Sequence, residues 1–225
     1  MIDALDRLIE WDDRGSAFAT WRLRPGFGGQ GEERLAFRLC WLVSPQPIAG
    51  AGLRRDEERT GLDRRAASFL KPWTVVQYLG ADLASVGDRE FLRVLREPYR
   101  PDAEDGGGRD YNLGSREAWL HQIVDHNTFA RLCAEVRDRG RTWLQDSDAY
   151  KLAVANAMQR ATADVERRQL RTQSRHQSEG TAEGAQRRQL ELDTTVLDAV
   201  RQPLLRLDSV GAFVVAGYAP SERRP

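Results

Sequence analysis

The stretch RQPLLRLDSVGAFVVAG, residues 201–217, decides how the chain is read. Pro203 has no N–H to donate and its ring obstructs a continuing helix, so the helical pattern before it must stop there. Residues 205–217 then hold the apolar run 210–215, short and rich in β-branched side chains, which reads as a strand. Working backwards, two long polar helices precede it. The first carries Val154, Met158, Ala161 and Val165, four, three and four apart, a narrow coiled-coil-like seam. Asp146 or Ser147 can cap it, and about 25 residues would span roughly 38 Å. The second carries Leu190, Thr194, Leu197 and Arg201, with Leu204 just past Pro203. Between them, residues 173–184 lack periodic apolar side chains and read as a soft loop.

The first half of the chain supplies the rest of a sheet. DALDRLIEW (3–11) is a short amphipathic helix. Residues 17–24 alternate Phe18, Thr20, Arg22 and Arg24 with Ala19, Trp21 and Leu23, and residues 35–43 place Leu35, Phe37, Leu39 and Trp41 on one face. The turn PGFGGQGEE (25–33) between them predicts a β-hairpin. RRDEERTGLDRR (54–65) is nearly all charge and fits either the start of a solvated helix or a loop. WTVVQYL (73–79) is a third strand. Residues 88–97 form a helix capped by Asp88 and stopped before Pro98. PDAEDGGG (101–108) is a loop. Residues 116–143 support one or two helices with Trp119, Ile123, Phe129, Leu132, Cys133 and Val136 as the buried stripe, and Gly140 is a point of interruption.

Composition limits the functions open to the chain. Its 225 residues hold one large or two small domains, and 34 basic residues balance 34 acidic ones. Long-range attraction to nucleic acid is therefore not built into the whole molecule, and any such contact must be local. Only Lys71 and Lys151 are lysines, leaving 32 arginines, whose planar guanidinium suits bidentate phosphate or carboxylate recognition. The codon usage of a GC-rich genome produces the same excess. Cys40 and Cys133 sit among apolar residues without metal-ligand spacing and read as reduced core thiols. No apolar run reaches the length of a membrane span, and residues 1–10 do not read as a signal peptide. The expected location is cytoplasmic, with no cofactor.

Besides the arginines, three constellations bear on chemistry. His121 and His126 are five apart, about 140° around a helix, so their rings do not converge as a metallopeptidase pair would. His176 falls in the loop between the long helices. PGFGGQGEE lacks the Gly-Lys-Ser/Thr ending of a phosphate loop and leads into a strand. Asp102, Glu104, Asp105 and Asp110 form an acidic cluster, and grouped carboxylates hold magnesium in nucleases. Here they flank a glycine loop rather than standing on rigid elements. The remaining candidate is basic. Arg160, Arg167, Arg168, Arg171, Arg175, Arg187 and Arg188 crowd the distal half of the two long helices, with Gln159, Gln169 and Gln173 as further donors. The plain alternative is an ordinary solvated helix face.

The order of elements resembles the region C-terminal to the motor in bacterial Swi/Snf-type helicases, the RNA-polymerase-recycling kind and its phage-defence relatives. FATWRLR (18–24), LAFRLCWLV (35–43), SFLKPWTVVQYL (68–79), DYNL (110–113) and the Arg/Gln/Glu-rich hairpin ending at residue 217 carry the likeness. The resemblance implies a final strand that rejoins the earlier strands after a helical excursion. This chain has no GKT or GKS, no DEAH-like box and no motor arginine motif, so it cannot hydrolyse ATP alone. The expectation is an α+β fold: a small, mainly antiparallel sheet packed by helices, with a projecting long helical hairpin. The expected divisions are a body at 1–143, a hairpin arm at 144–202, a return strand at 203–217 and a tail at 218–225. The expected role is a non-enzymatic accessory subunit of a helicase or translocase complex, with a helicase, translocase or nuclease subunit and DNA as partners. Two other readings remain open: a metal-dependent nuclease or hydrolase using the acidic loop with His121 or His126, and a structural oligomerisation protein.

Overall fold

The computed structural model describes residues 16–28, 32–48, 56–102, 108–113, 126–179 and 183–222. The expected helix at 3–11, residues 116–125 of the expected helical region, and Glu104, Asp105 and His121 lie outside them. The described residues of Met1–Trp41, Val75–Trp143 and Arg206–Pro225 form one compact unit, and those of Leu42–Thr74 and Leu144–Leu205 form a second.

The last strand organises the sheet. β5 (Leu204–Ala216) is buried at every residue from Ser209 to Ala216, so both its faces are covered. An apolar run covered on both faces is the pattern of an interior strand, and that is its place. With β1 (Ser16–Leu23), β2 (Glu33–Ser44), β3 (Trp73–Gly80) and β4 (Arg109–Asn112), the order is β3-β2-β5-β1-β4. β1 runs parallel to β5, with Ser16 opposite Ser209 and Leu23 opposite Ala216. It runs antiparallel to β4, with Thr20 opposite Asn112. The α+β reading therefore stands, and the sheet is mixed.

The expected hairpin between residues 17–24 and 35–43 is not formed, because β5 separates β1 from β2. Alternation within two strands fixes which faces are buried but not which strands are neighbours. For β4 the sequence offers only the motif DYNL. Four residues with one buried carboxylate give no strand signal until Leu113 N is seen donating to Ala19 O at 2.9 Å.

One face of the sheet unit packs α2 (Arg89–Arg96). Asp88 caps it as expected, its carboxylate accepting from the backbone N–H groups of Glu90 and Phe91 at 2.9 and 3.1 Å. Phe91, Val94 and Leu95 then point into a cluster with Phe27, Phe213 and Val215. Phe18 meets Phe213 edge-on at 5.4 Å, and Gly211 is required opposite it, since a Cβ there would collide with the Phe18 ring. Next, α3 (His126–Asp146) passes Gly140 without the expected interruption. A Cβ at Gly140 would meet Leu39, so glycine allows close approach rather than breaking the helix. Gln77 ties that approach down, accepting from Trp41 Nε1 at 3.0 Å and donating to Gly140 O at 3.2 Å. Cys40 and Cys133 are buried free thiols, and burial pushes the Cys133 thiol up to about 12. Its thiolate is not available near neutral pH.

A charged quartet is buried at the β1 and β4 side. Arg24 bonds Asp110 at 2.8 Å and Glu97 at 2.9 Å, while Arg22 stands 3.9 Å from Asp110. The Arg22 guanidinium donates to the carbonyls of Val94 and Glu97 that end α2. Asp110 also accepts from the backbone N–H of Arg100 at 3.0 Å. Two guanidiniums and two carboxylates thus compensate one another out of water, which is the condition for burying charge at all. Desolvation pulls the Arg22 pKa down, opposed by the charge of Asp110.

The helical unit sets small side chains on its long helices against larger ones such as Leu62 and Leu70. α1 (Asp56–Phe69), the charged stretch that fitted either a helix or a loop, buries Leu62 and Ala66, with Leu70 just beyond. α4 (Asp148–Glu179) is 32 residues long and α5 (Glu183–Arg201) is 19. Ser147 Oγ accepts from Tyr150 N at 3.3 Å at the start of α4, the expected cap. Of the expected α4 seam, Ala161 and Val165 are buried and Val154 and Met158 half-buried, and Ala157 joins them as a buried position outside the expected four. α4 is longer than the expected 25 residues, reaching roughly 48 Å, because 173–179 continues it instead of forming a loop. Those residues are Arg, Gln, Ser, His and Glu, several of them good helix formers that need no apolar period to stay helical. The α5 stripe is also corrected. Leu190, Thr194 and Arg201 are exposed, and the buried positions are Asp193, Val196, Ala199 and Val200. The polar Asp193 disguised the true period.

Candidate nucleic-acid interface

The seven arginines singled out by sequence separate into groups with different work. Arg160 donates to the Phe69 carbonyl at 2.7 Å, and Arg188 makes a two-pronged contact with Glu58 at 3.0 Å to each oxygen. Both fasten α1 to the long helices. Arg187 faces solvent beside Glu191 at 3.6 Å, one turn along α5. Arg175 lies within α4, and its side chain is outside the described residues, as is that of His176.

Arg167, Arg168 and Arg171 remain, and they converge. All three line one open groove of about 480 Å³, together with Thr172 and Gln189. The spacing explains this: 167 and 171 are one turn apart on α4, 168 follows the first, and Thr172 follows the second. Gln189 comes from α5. A smaller depression of about 180 Å³ shares Thr172 and Gln189 and adds Gln169, Gln173 and Gln186. The groove therefore continues from guanidiniums into side-chain amides. Gln169 and Gln173 had been expected as donors, whereas Gln186 and Gln189 had not. The RRQL sequence at 187–190 held the only signal for Gln189, repeating the composition of 167–170 on the other helix.

Charge at this groove is set by one aspartate. Asp164 accepts from Arg65 at 3.0 Å and Arg168 at 2.9 Å, with Arg167 at 4.0 Å. Arg65 reaches across to Asp193 as well, whose side chain is 1% exposed. Burial alone would raise the Asp164 carboxyl. The hydrogen bond from Arg65 and the charges of Arg168 and Arg65 outweigh burial and hold it below the ordinary carboxylate range. Four arginines thus face two aspartates, and two positive charges are left over at the groove. Arg171 has no carboxylate partner among the described residues. Surplus guanidinium charge with amide and hydroxyl donors alongside is the chemistry that contacts a phosphodiester backbone without reading bases.

The acidic cluster does not assemble in the same way. Asp110 is 2% exposed and its oxygens are taken by Arg24 and Arg100 N, while Asp102 is exposed. Among the described residues no three His, Cys, Asp or Glu side chains are grouped to hold a metal. His126 opens α3 with its side chain outside the described residues. No helix among the described residues is long and apolar enough to cross a membrane. No protein-family model matches this sequence, and comparison with curated proteins gave no match.

Proposed function

We propose that the chain is a non-enzymatic accessory subunit of a helicase or translocase complex, contacting nucleic acid through the α4–α5 groove. The observation that carries this reading is the convergence of Arg167, Arg168 and Arg171 with Gln189 and Thr172 on one surface, two positive charges in excess. Those charges are not needed to hold the helices together, since Arg65, Arg160 and Arg188 already do that. Leu170 and Leu190, both more than half exposed on the same two helices, support contact with a partner protein. The helicase assignment rests on the resemblance of element order and on the absence of motor motifs from the sequence.

Fluorescence anisotropy with a labelled duplex at rising salt tests the groove. The protein is expected to bind without sequence preference. Replacing Arg167, Arg168 and Arg171 together by Gln should weaken binding at least tenfold and lower the salt slope by roughly three, about one per phosphate contact. An unchanged slope removes the groove from the interface. The complex itself is tested by co-purification with a motor subunit and by the change in that motor's DNA-stimulated ATPase. Failure in both ends the accessory reading.

A further inference from the structure

The sheet unit carries a second concavity, of about 500 Å³, unrelated to the arginine groove. That volume lies within the range of roughly 300–1,000 Å³ typical of small-molecule sites. Its floor is the Phe18–Thr20–Arg22 face of β1, and its rim includes Arg38 of β2, Tyr78 of β3 and Arg96 and Tyr99 at the end of α2.

The charge at this cavity does not cancel. Arg22 and Glu97 also line it, but they belong to the buried quartet with Arg24 and Asp110, in which two bases meet two acids. Arg38 and Arg96 stand outside that balance. Neither has a carboxylate or carbonyl partner among the described residues, and Arg38 is half-buried. A half-buried guanidinium without a partner is a costly arrangement unless an anion completes it. That half-buried guanidinium and the exposed one of Arg96 at the rim together match a doubly charged anion, and the fork of arginine matches phosphate oxygens in particular. Thr20 adds a hydroxyl within the same cavity.

The rest of the lining is aromatic. Arg96 already lies over the Tyr78 ring, 5.9 Å from its centroid, so one guanidinium is held at the rim by the ring. Tyr99 is 50% exposed at the same rim. A large aromatic ring left half in water beside a cationic cavity is a stacking platform without its partner.

We propose that this cavity binds a nucleotide unit, its phosphomonoester held by Arg38 and Arg96 and its planar base stacked on Tyr99. The unit is either a free nucleoside monophosphate or the 5′-phosphorylated end of a strand, which share this chemistry. The proposal uses none of the groove residues, so it stands or falls apart from the accessory-subunit reading.

Titration calorimetry on the full chain tests it with five probes: adenosine 5′-monophosphate, adenosine, inorganic phosphate, a 5′-phosphorylated single-stranded oligonucleotide and its 5′-hydroxyl counterpart. Binding of the monophosphate at least tenfold tighter than adenosine or phosphate supports a free nucleotide. Binding confined to the 5′-phosphorylated strand supports the strand end. Arg96→Gln and Arg38→Gln should each weaken the preferred probe at least tenfold. Tyr99→Ala, at an exposed position that folding does not need, should weaken the nucleotide but leave inorganic phosphate unchanged. The proposal is overturned if neither nucleotide probe binds at millimolar concentration. It is also overturned if the triple Gln variant of the α4–α5 groove abolishes the same binding while Arg38→Gln and Arg96→Gln, shown folded by far-ultraviolet circular dichroism, leave it intact.

Discussion

The two units bury charge against very different backgrounds. In the sheet unit the quartet of Arg22, Arg24, Asp110 and Glu97 sits beside large apolar side chains such as Phe213, Phe91 and Leu95. In the helical unit the long helices meet through the small side chains Ala157, Ala161, Val165 and Val196, with Ile48, Leu62 and Leu70 beside them. There the specifying contact is Arg65, reaching from α1 to Asp164 on α4 and Asp193 on α5. Charge in the sheet unit locks the end of α2 onto an assembled core. Charge in the helical unit sets which faces of three polar helices meet.

The largest effect should come from Asp110→Ala in the sheet unit. It leaves Arg22 and Arg24 buried with one carboxylate between them and strips Arg100 N of its acceptor, a loss of about 3–5 kcal/mol. Urea denaturation followed by tryptophan fluorescence reads this directly through Trp21, which is buried in the adjacent strand. A loss below about 1 kcal/mol would mean the quartet is solvated, and the contrast between the units would collapse.

Arg65→Met should cost less, about 2–3 kcal/mol, because Asp164 keeps Arg168 while Asp193 is left buried and unpaired. The sharper version is the double change Arg65→Met with Asp193→Leu, which removes both charges at once. It should recover most of the lost stability while broadening the thermal transition, as apolar side chains stabilise helices without dictating their register. If the double variant is no more stable than the single one, the staple contributes through something other than compensated burial. Helical circular dichroism at 222 nm follows both.

How far these features were legible depends on whether a signal was local. The cap at Asp88, the stop at Pro98, the strand at 73–79 and the closing strand expected over 205–217 all declare themselves in a few consecutive residues, and all are found. The position of β5 between β1 and β2 was not legible, since neighbour choice depends on chain segments far apart in sequence. The α5 face was misread because its buried stripe includes Asp193, whose partner Arg65 lies 128 residues away. Of the site, the arginine-rich composition was visible, but which arginines line the groove and which fasten α1 was not. Arg160 and Arg188 look the same in sequence as Arg167 and Arg171, and only the positions of Phe69 O and Glu58 tell them apart.

The smallest effect separates the units by pH. Asp164 has its carboxyl held below the ordinary value of 3.8, so its ionised form favours the folded state. Its contribution is complete above that value and is lost as pH falls through the lower folded one. Because the side chain is about a quarter exposed, the contribution is modest, on the order of 0.5–1 kcal/mol. Asp164→Asn keeps the shape and removes the charge. At pH 6 the variant should be less stable than the parent by that amount, and the gap should narrow as pH falls below the ordinary value of 3.8 and the parent's carboxyl takes up its proton. Urea midpoints across that range measure it. A gap that stays constant would assign the loss to hydrogen-bond geometry rather than charge, and one that widens toward acid would reverse the sign of the linkage.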